Sequence, residues 1–445
     1  MLKRSLLALC IVSALVSGAE AADKPKTDAE RLAALEARMQ ALEANADALR
    51  QQVADSEAAL QAANAEIERL KAAAPAEASV AANQASPEAD SGAAGANGNA
   101  FNPAITVVLN GAISHHSLDP DNYMRAGFPL IGEGGPGAQG ISLGESELSL
   151  SANIDDKFYG QLTLAVGSDD GEDELGIEEA FVESIALPNG FTLRGGRFFS
   201  NIGYLNSHHA HTDKFYDRPL AYQAFLGNQY GDDGVQLRWV APTDLFVELG
   251  AEVFRGSAHD GTGANSVFAH VGGDIGVESS WLAGVSMLRS RVEEGEDGFS
   301  GDNRLYIVDG TWKWAPQGNF KDGGITLRGE YFVDDRDGDY VDPEGLQPDQ
   351  PWNGKRRGAY LEAVYRINRN WETGYRYDKL WADDDGPFAS EFDPRRHSLM
   401  LSWLNSEFSL FRLQYSRDEP DADRTDNVLT LQYQMNLGAH GAHKY

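Results

Sequence analysis

His208, His209 and His211 fall within four positions of one another, and Asp213, Asp217 and Arg218 follow close behind. Imidazole nitrogens beside carboxylate oxygens are donors suited to zinc or a similar divalent ion. Their spacing is neither that of a zinc finger nor that of a zinc protease, so an exposed polar loop with incidental histidines stands beside the metal reading. His115 with His116 forms a second pair, and His440 with His443 a third. In a closed barrel the first and last strands are neighbours, although these two pairs fall toward opposite rims. His259, His270 and His397 stand alone and read as structural. The candidate metal ligands are therefore His208, His209, His211, Asp213, His115 and His116, in transient contact with zinc and without a resident cofactor.

No catalytic constellation accompanies them. The chain has no Gly-x-Ser-x-Gly elbow, phosphate loop, His-Glu-x-x-His motif or dinucleotide fingerprint. Ser207 next to His208 is thin evidence for a nucleophile with a placed base. The expectation is a protein that is not an enzyme.

Charged residues of both signs recur on one side of the alternating segments: Glu179 and Glu183, Arg194, Arg238, Glu248 and Glu252, Arg328 and Glu330, Glu362 and Arg366, Glu372, Arg376 and Asp378, and Arg412. Lining a water-filled pore, they would pass polar solutes and bias ions by their local field. Taken pair by pair they could instead hold an interior together across strands. Glu248, Glu252, Arg238, Arg328, Glu330 and Arg376 are the candidate pore-lining residues.

The elements that would position these groups follow from period-2 patterning between Ala104 and the C-terminus. In Leu245–Phe254, Leu245, Val247, Leu249, Ala251 and Val253 share one face, and Glu248, Gly250 and Glu252 the other. Repeated around a closed sheet, this pattern puts lipid against the apolar face and a wet lumen against the carboxylates. About sixteen such segments occur, the even count bacterial barrels use. They begin near Ile105, Ser142, Tyr159, Ile177, Phe191, Val235, Leu245, Val267, Trp281, Leu305, Ile325, Gly358, Trp371, His397, Phe408 and Val428.

Tight joints such as Asp155-Asp156-Lys157 and Pro188-Asn189-Gly190 fit one rim, expected to be periplasmic. The stretches Ser168–Glu174, Glu293–Asp297 and Asp334–Gly354 are acidic and read as outer loops. Aromatics near strand ends, among them Phe158, Tyr159, Phe191, Trp239, Trp281, Trp314, Trp371, Trp403 and Phe408, suit an interfacial girdle. The longest joint, Phe199–Gly234, lies between the fifth and sixth strands and carries the triple-histidine run. Loops of that size in a compact fold are usually functional.

The front of the chain differs in kind. Residues 1–21 read as a secretory signal: basic Lys3 and Arg4, an apolar stretch to Val16, and small residues up to Ala21. Cys10, the single cysteine, lies inside it, so the mature chain offers neither disulfide nor thiolate metal chemistry. Residues 27–71 carry apolar positions at spacings of three and four, from Leu32 to Leu70, which specify an α-helical coiled coil. Residues 72–100 are rich in Ala, Pro, Ser, Gly and Asn and read as a flexible linker ahead of a barrel at 101–445. No run of eighteen apolar residues follows the signal, so a helical span is not expected. The net charge of −31 makes nucleic acid a poor partner.

Signal, coiled coil, low-complexity joint and strand rhythm together resemble the outer-membrane porins related to the phosphate- and polyphosphate-selective group. The resemblance implies homotrimers with a long third loop folded into each pore. The chain departs from that group in its acidic loops and in lacking a dense basic ladder along its strands. The segments from Gly196 to His211 and from Leu226 to Leu237, with the ending Leu437–Tyr445, are similar to outer-membrane proteins associated with zinc supply, some of which are called TonB-dependent receptors. Only a coiled coil and a linker precede Ile105, which leaves no room for the globular plug that energised gating needs.

The reading is an all-β antiparallel transmembrane barrel in the outer membrane, with its coiled coil in the periplasm. It would be a passive porin-like channel for small solutes, most specifically zinc or other divalent cations. The alternatives are a general porin for sugars or small polar solutes, and a structural anchor using a periplasmic coiled coil.

Overall fold

The structure is a computed structural model that describes residues 103–438, apart from 170–171, 257–260, 294, 343–347 and 384–385. The expected signal, coiled coil and linker, and His259, His440 and His443, lie outside the described residues. No described helix is long and apolar enough to cross a membrane.

The strands run in chain order around one sheet. They are β1 (Ala104–His115), β2 (Gly140–Leu143), β3 (Ser146–Asn153), β4 (Phe158–Asp169), β5 (Glu172–Ser184), β6 (Phe191–Phe199), β7 (Gly231–Val240), β8 (Phe246–Phe254) and β9 (Gly261–Ile275). There follow β10 (Ser279–Val292), β11 (Phe299–Trp314), β12 (Gly324–Tyr340), β13 (Gln350–Arg366), β14 (Trp371–Trp381), β15 (Arg395–Ser406), β16 (Ser409–Glu419) and β17 (Asp426–Gly438). Successive strands pair antiparallel, except that β2 and β3 each pair with β1 and not with each other, and β17 pairs back onto β1 from Thr106↔Gly438 to His115↔Leu429. The sheet closes on itself, so its first and last strands are paired. Both β2 and β3 pair with β1, so they are two halves of one stave broken at Gly144-Glu145, and the barrel has sixteen staves.

The two faces divide as period 2 requires. On β8, Leu249, Ala251 and Val253 are exposed while Glu248, Glu252 and Phe254 are buried. On β12, Thr326, Arg328, Glu330, Phe332, Asp334 and Arg336 point inward between exposed Leu327 and Tyr331. Outward aromatics form a ladder near the short turns. Trp371 and Trp403 have ring centroids 6.5 Å apart, Trp403 and Phe411 5.8 Å, and Phe411 and Tyr433 4.4 Å. Such a belt suits the lipid–water boundary. Tyr159 departs from the girdle expectation: next to outward Phe158 it faces inward and packs against Phe181, with ring centroids 6.4 Å apart.

Two acidic stretches expected as loops are largely strand. β4 runs to Asp169 and β5 starts at Glu172, while β12 and β13 extend through Tyr340 and from Gln350. Cross-strand charge makes this extension tolerable. Arg356 Nη2 lies 2.9 Å from Asp334 Oδ2, and Lys355 Nζ lies 3.4 Å from Asp335 Oδ2.

The lumen is not uniformly wet. The connection between β6 and β7, residues 200–230, folds inward and carries a short helix, α1 (Leu220–Leu226), with every residue buried. Its apolar residues Leu220, Ala221, Phe225 and Leu226 find partners in Phe332, Tyr360 and Leu380 of the wall. From the first long connection Phe128 joins them, its ring 5.8 Å from Phe225. An apolar core therefore sits inside the barrel, because seven largely apolar residues must be buried wherever the loop carries them.

Candidate functional site

The inserted loop is stitched to itself before it is stitched to the wall. Arg218 donates from Nη1 to the Leu205 carbonyl at 2.8 Å and from Nη2 to the His208 carbonyl at 2.6 Å, and its Nε lies 2.8 Å from Asp213 Oδ2. A single 3-10 turn, Ala210–Thr212, follows His209, whose carbonyl accepts from the Thr212 N–H at 2.9 Å and from its hydroxyl at 2.8 Å. This turn sets the His209 and His211 rings side by side, 5.7 Å apart.

The wall meets those rings with carboxylates. His211 Nδ1 lies 2.7 Å from Glu147 Oε1. His209 Nδ1 is 3.1 Å from both Glu147 Oε2 and Glu178 Oε2, and its Nε2 is 3.0 Å from Glu179 Oε2. Two neighbouring glutamates on a regular strand would face opposite ways. Here the β4–β5 register passes from Thr163↔Glu179 to Leu164↔Ile177, so Glu178 is the extra residue of a bulge. A bulge re-aims a side chain, and both carboxylates reach the same imidazole. Burial of His209 favours its neutral form, but hydrogen bonds to Glu147, Glu178 and Glu179 outweigh burial and raise its pKa well above the usual histidine value.

Glu147, His209 and His211 each offer a donor atom, all within 4.8 Å of one another, and Glu145, Glu147 and Glu178 form a second such group. The two share Glu147. Mixed imidazole and carboxylate donors fit zinc and neighbouring divalent metals, whereas three carboxylates form a harder, less selective set.

The remaining expected ligands sit elsewhere. His208 stacks on the Tyr204 ring at 4.7 Å, with Nδ1 2.7 Å from the Tyr204 carbonyl oxygen, and Asp213 is taken by Arg218. His116 is buried with Nδ1 2.9 Å from Asp426 Oδ2, and His115 is exposed beside Gln139. Among the described residues neither joins the His209 group. Glu145, Glu147 and Glu178 escaped the sequence reading, and Glu179 entered it only as an inward-facing charge. The available signals were the alternation Glu145-Ser146-Glu147 and the adjacent pair Glu178-Glu179, which only a bulge turns to one side.

The expected pore-lining residues all lie on the inner face, and most grip the loop. Glu252 accepts from Ser200 Oγ and from the Asn201 N–H at 3.0 Å. Glu330 accepts from the Tyr204 N–H at 3.0 Å, from the Tyr222 hydroxyl at 3.0 Å and from the Tyr360 hydroxyl at 2.6 Å. Gly203 passes so close to Glu330 and the Tyr222 hydroxyl, with a φ of 60°, that a Cβ there would clash with both. Arg376 Nη2 lies 3.1 Å from Asp217 Oδ1 of the loop. Arg328 pairs across strands with Glu362 at 2.9 Å, and Arg238 bridges Glu183 at 2.9 Å and Glu248 at 3.3 Å.

Space remains on both sides of the loop. A cavity of about 590 Å³ toward the long-connection end is lined by Glu133, Glu145, Glu178, Asp217, Glu296 and Arg336, among others. Another of about 670 Å³ toward the short-turn end is lined by His211, Lys214, Lys313, Arg328, Arg366 and Arg369, among others. The first is mainly acidic and the second mainly basic. The basic end was not legible as a ladder because its residues come from the loop and from the ends of different strands.

The closed barrel with its inserted loop is similar in fold to solved outer-membrane porins and channels. The OmpF porin of Salmonella typhi, solved with daunomycin, matches with a TM-score of 0.52 at 11% identity, covering 77% of this chain and 99% of that one. The channel DcaP of Acinetobacter baumannii matches with a TM-score of 0.50 at 13% identity, covering 75% and 97%. An anion-selective porin from Comamonas acidovorans gives 0.50 at 12% identity, covering 75% and 99%. In sequence, the chain is 28% identical over 394 residues to a protein of Aquifex aeolicus (strain VF5) described only as uncharacterized, across 78% of this chain and 80% of that protein. No family model matches the chain.

Proposed function

We propose that this chain is a passive outer-membrane channel whose most specific cargo is zinc or another divalent cation, that it works as a homotrimer, and that its N-terminal coiled coil lies in the periplasm. The observation that carries the cation reading is the cluster of His209, His211 and Glu147 on the inserted loop and the wall, with Glu145 and Glu178 opening on the acidic cavity. Acidic walls raise the local concentration of cations, and transport then requires contacts strong enough to admit an ion and weak enough to release it. Surrounding carboxylates supply the first condition. The basic short-turn cavity supplies the second, since a cation reaching it meets repulsion from Lys313 and Arg369 and leaves.

That same basic cavity favours a second reading, a general porin for small polar solutes. Planar-bilayer conductance of the purified chain, measured with and without zinc, separates the two. Zinc passage predicts current carried by Zn²⁺ and competition between zinc and monovalent cations. A general porin predicts conductance indifferent to zinc, together with swelling of proteoliposomes in sugar solutions.

A further inference from the structure

The two donor groups that share Glu147 do not open on the same space. Glu145 and Glu178 line the acidic cavity, whereas His211 lines the basic one. Between them lie Glu147 and His209, with side-chain exposures of 2% and 17%. The cluster therefore joins the two cavities, and each is reached from a different part of it. Three chain segments build it: the broken stave at Glu145 and Glu147, the β5 bulge at Glu178, and the inserted loop at His209 and His211.

We propose that a divalent cation crosses the constriction through two successive stations, an outer one of Glu145, Glu147 and Glu178 and an inner one of Glu147, His209 and His211. This rests on the channel reading above and adds the route to it. The outer station is all oxygen, so it captures divalent ions with little discrimination. At the inner station two imidazoles replace two carboxylates, which favours zinc and similar metals over calcium and magnesium. Because Glu147 belongs to both, an ion can exchange one set of partners for the other without returning to bulk water. A second ion arriving at the outer station repels the first toward the basic cavity, as in multi-site conduction.

The order of the stations gives them different kinetic signatures. Full-length protein is reconstituted into liposomes holding a fluorescent zinc indicator, and zinc influx is followed over a range of external zinc. Glu145→Gln with Glu178→Gln weakens capture. Influx at low zinc then falls about tenfold, the half-saturating concentration rises, and the maximal rate recovers. His209→Gln with His211→Gln removes the inner station, so the maximal rate falls at all concentrations and discrimination of zinc from calcium is lost. Sodium chloride conductance of each variant in planar bilayers reports that the barrel has assembled.

An unchanged concentration dependence in the Glu145/Glu178 variant, with influx lost in the His209/His211 variant, overturns the two-station route and leaves zinc passage standing. Unchanged influx in both variants overturns both.

Discussion

Glu147 Oε1 lies 2.7 Å from His211 Nδ1, while its other oxygen lies 3.1 Å from His209 Nδ1, so one carboxylate of the third strand holds both imidazoles of a loop inserted sixty residues later. Replacing Glu147 by Gln removes the charge and keeps the shape. Zinc affinity of the detergent-solubilised protein, measured by titration calorimetry, is expected to fall about 10–100-fold or more, because even outer partners of a metal site cost that much when lost. Thermal unfolding is expected to move far less than zinc affinity does.

Glu330 is the hub that pins the loop to β12 through Tyr204, Tyr222 and Tyr360. Glu330→Ala strands these buried donors, at about 1–3 kcal/mol for each one left unmade. The loop should detach while the sheet persists. Limited proteolysis is expected to cut between residues 203 and 222 in the variant and not in the parent, with higher single-channel conductance.

Asp217 gives the loop a pH limit. Burial favours its neutral form, but the Arg376 and Arg396 guanidinium groups outweigh this and hold its pKa at about 2, below the ordinary value of 3.8. A depressed carboxylate contributes stability that is present above the unfolded value and lost as pH falls through the folded one. The shift corresponds to about 2 kcal/mol. The part of the loop's attachment that Asp217 carries should stay intact down to about pH 4 and be lost between about pH 4 and 2, read as a step in conductance in that window. Asp217→Asn should abolish that part of the acid response.

Leu361 is 62% exposed in the middle of β13, between the outward Tyr365 and Arg357, where the account puts lipid. Leu361→Arg should destabilise the barrel by about 2–4 kcal/mol near the bilayer midplane. Urea unfolding in vesicles measures this. No change would place that face in water.

The barrel was largely legible in the sequence because period-2 alternation is a local signal. All sixteen expected strand starts fall in or beside a stave, and the Leu245–Phe254 faces divide as the alternation requires. Strand ends were less legible at Asp334–Gly354, where acidic composition suggested loop and cross-strand pairs with Lys355 and Arg356 hold strand instead. The inserted loop could be read as functional from its length, but its helix Leu220–Leu226 could not, since one short apolar run carries no period. The site was half legible. His209 and His211 announce themselves by type, whereas their partners Glu147 and Glu178 are about sixty and thirty residues away and meet them only through the inward fold of the loop and a bulge.

The most direct test of cation passage is the reversal potential across a planar bilayer holding the purified protein under a zinc chloride gradient. Cation passage predicts a potential shifted toward that of zinc in the parent, and a shift toward chloride in the His209→Gln, His211→Gln variant. A parent potential set by chloride, or one identical in parent and variant, would contradict it.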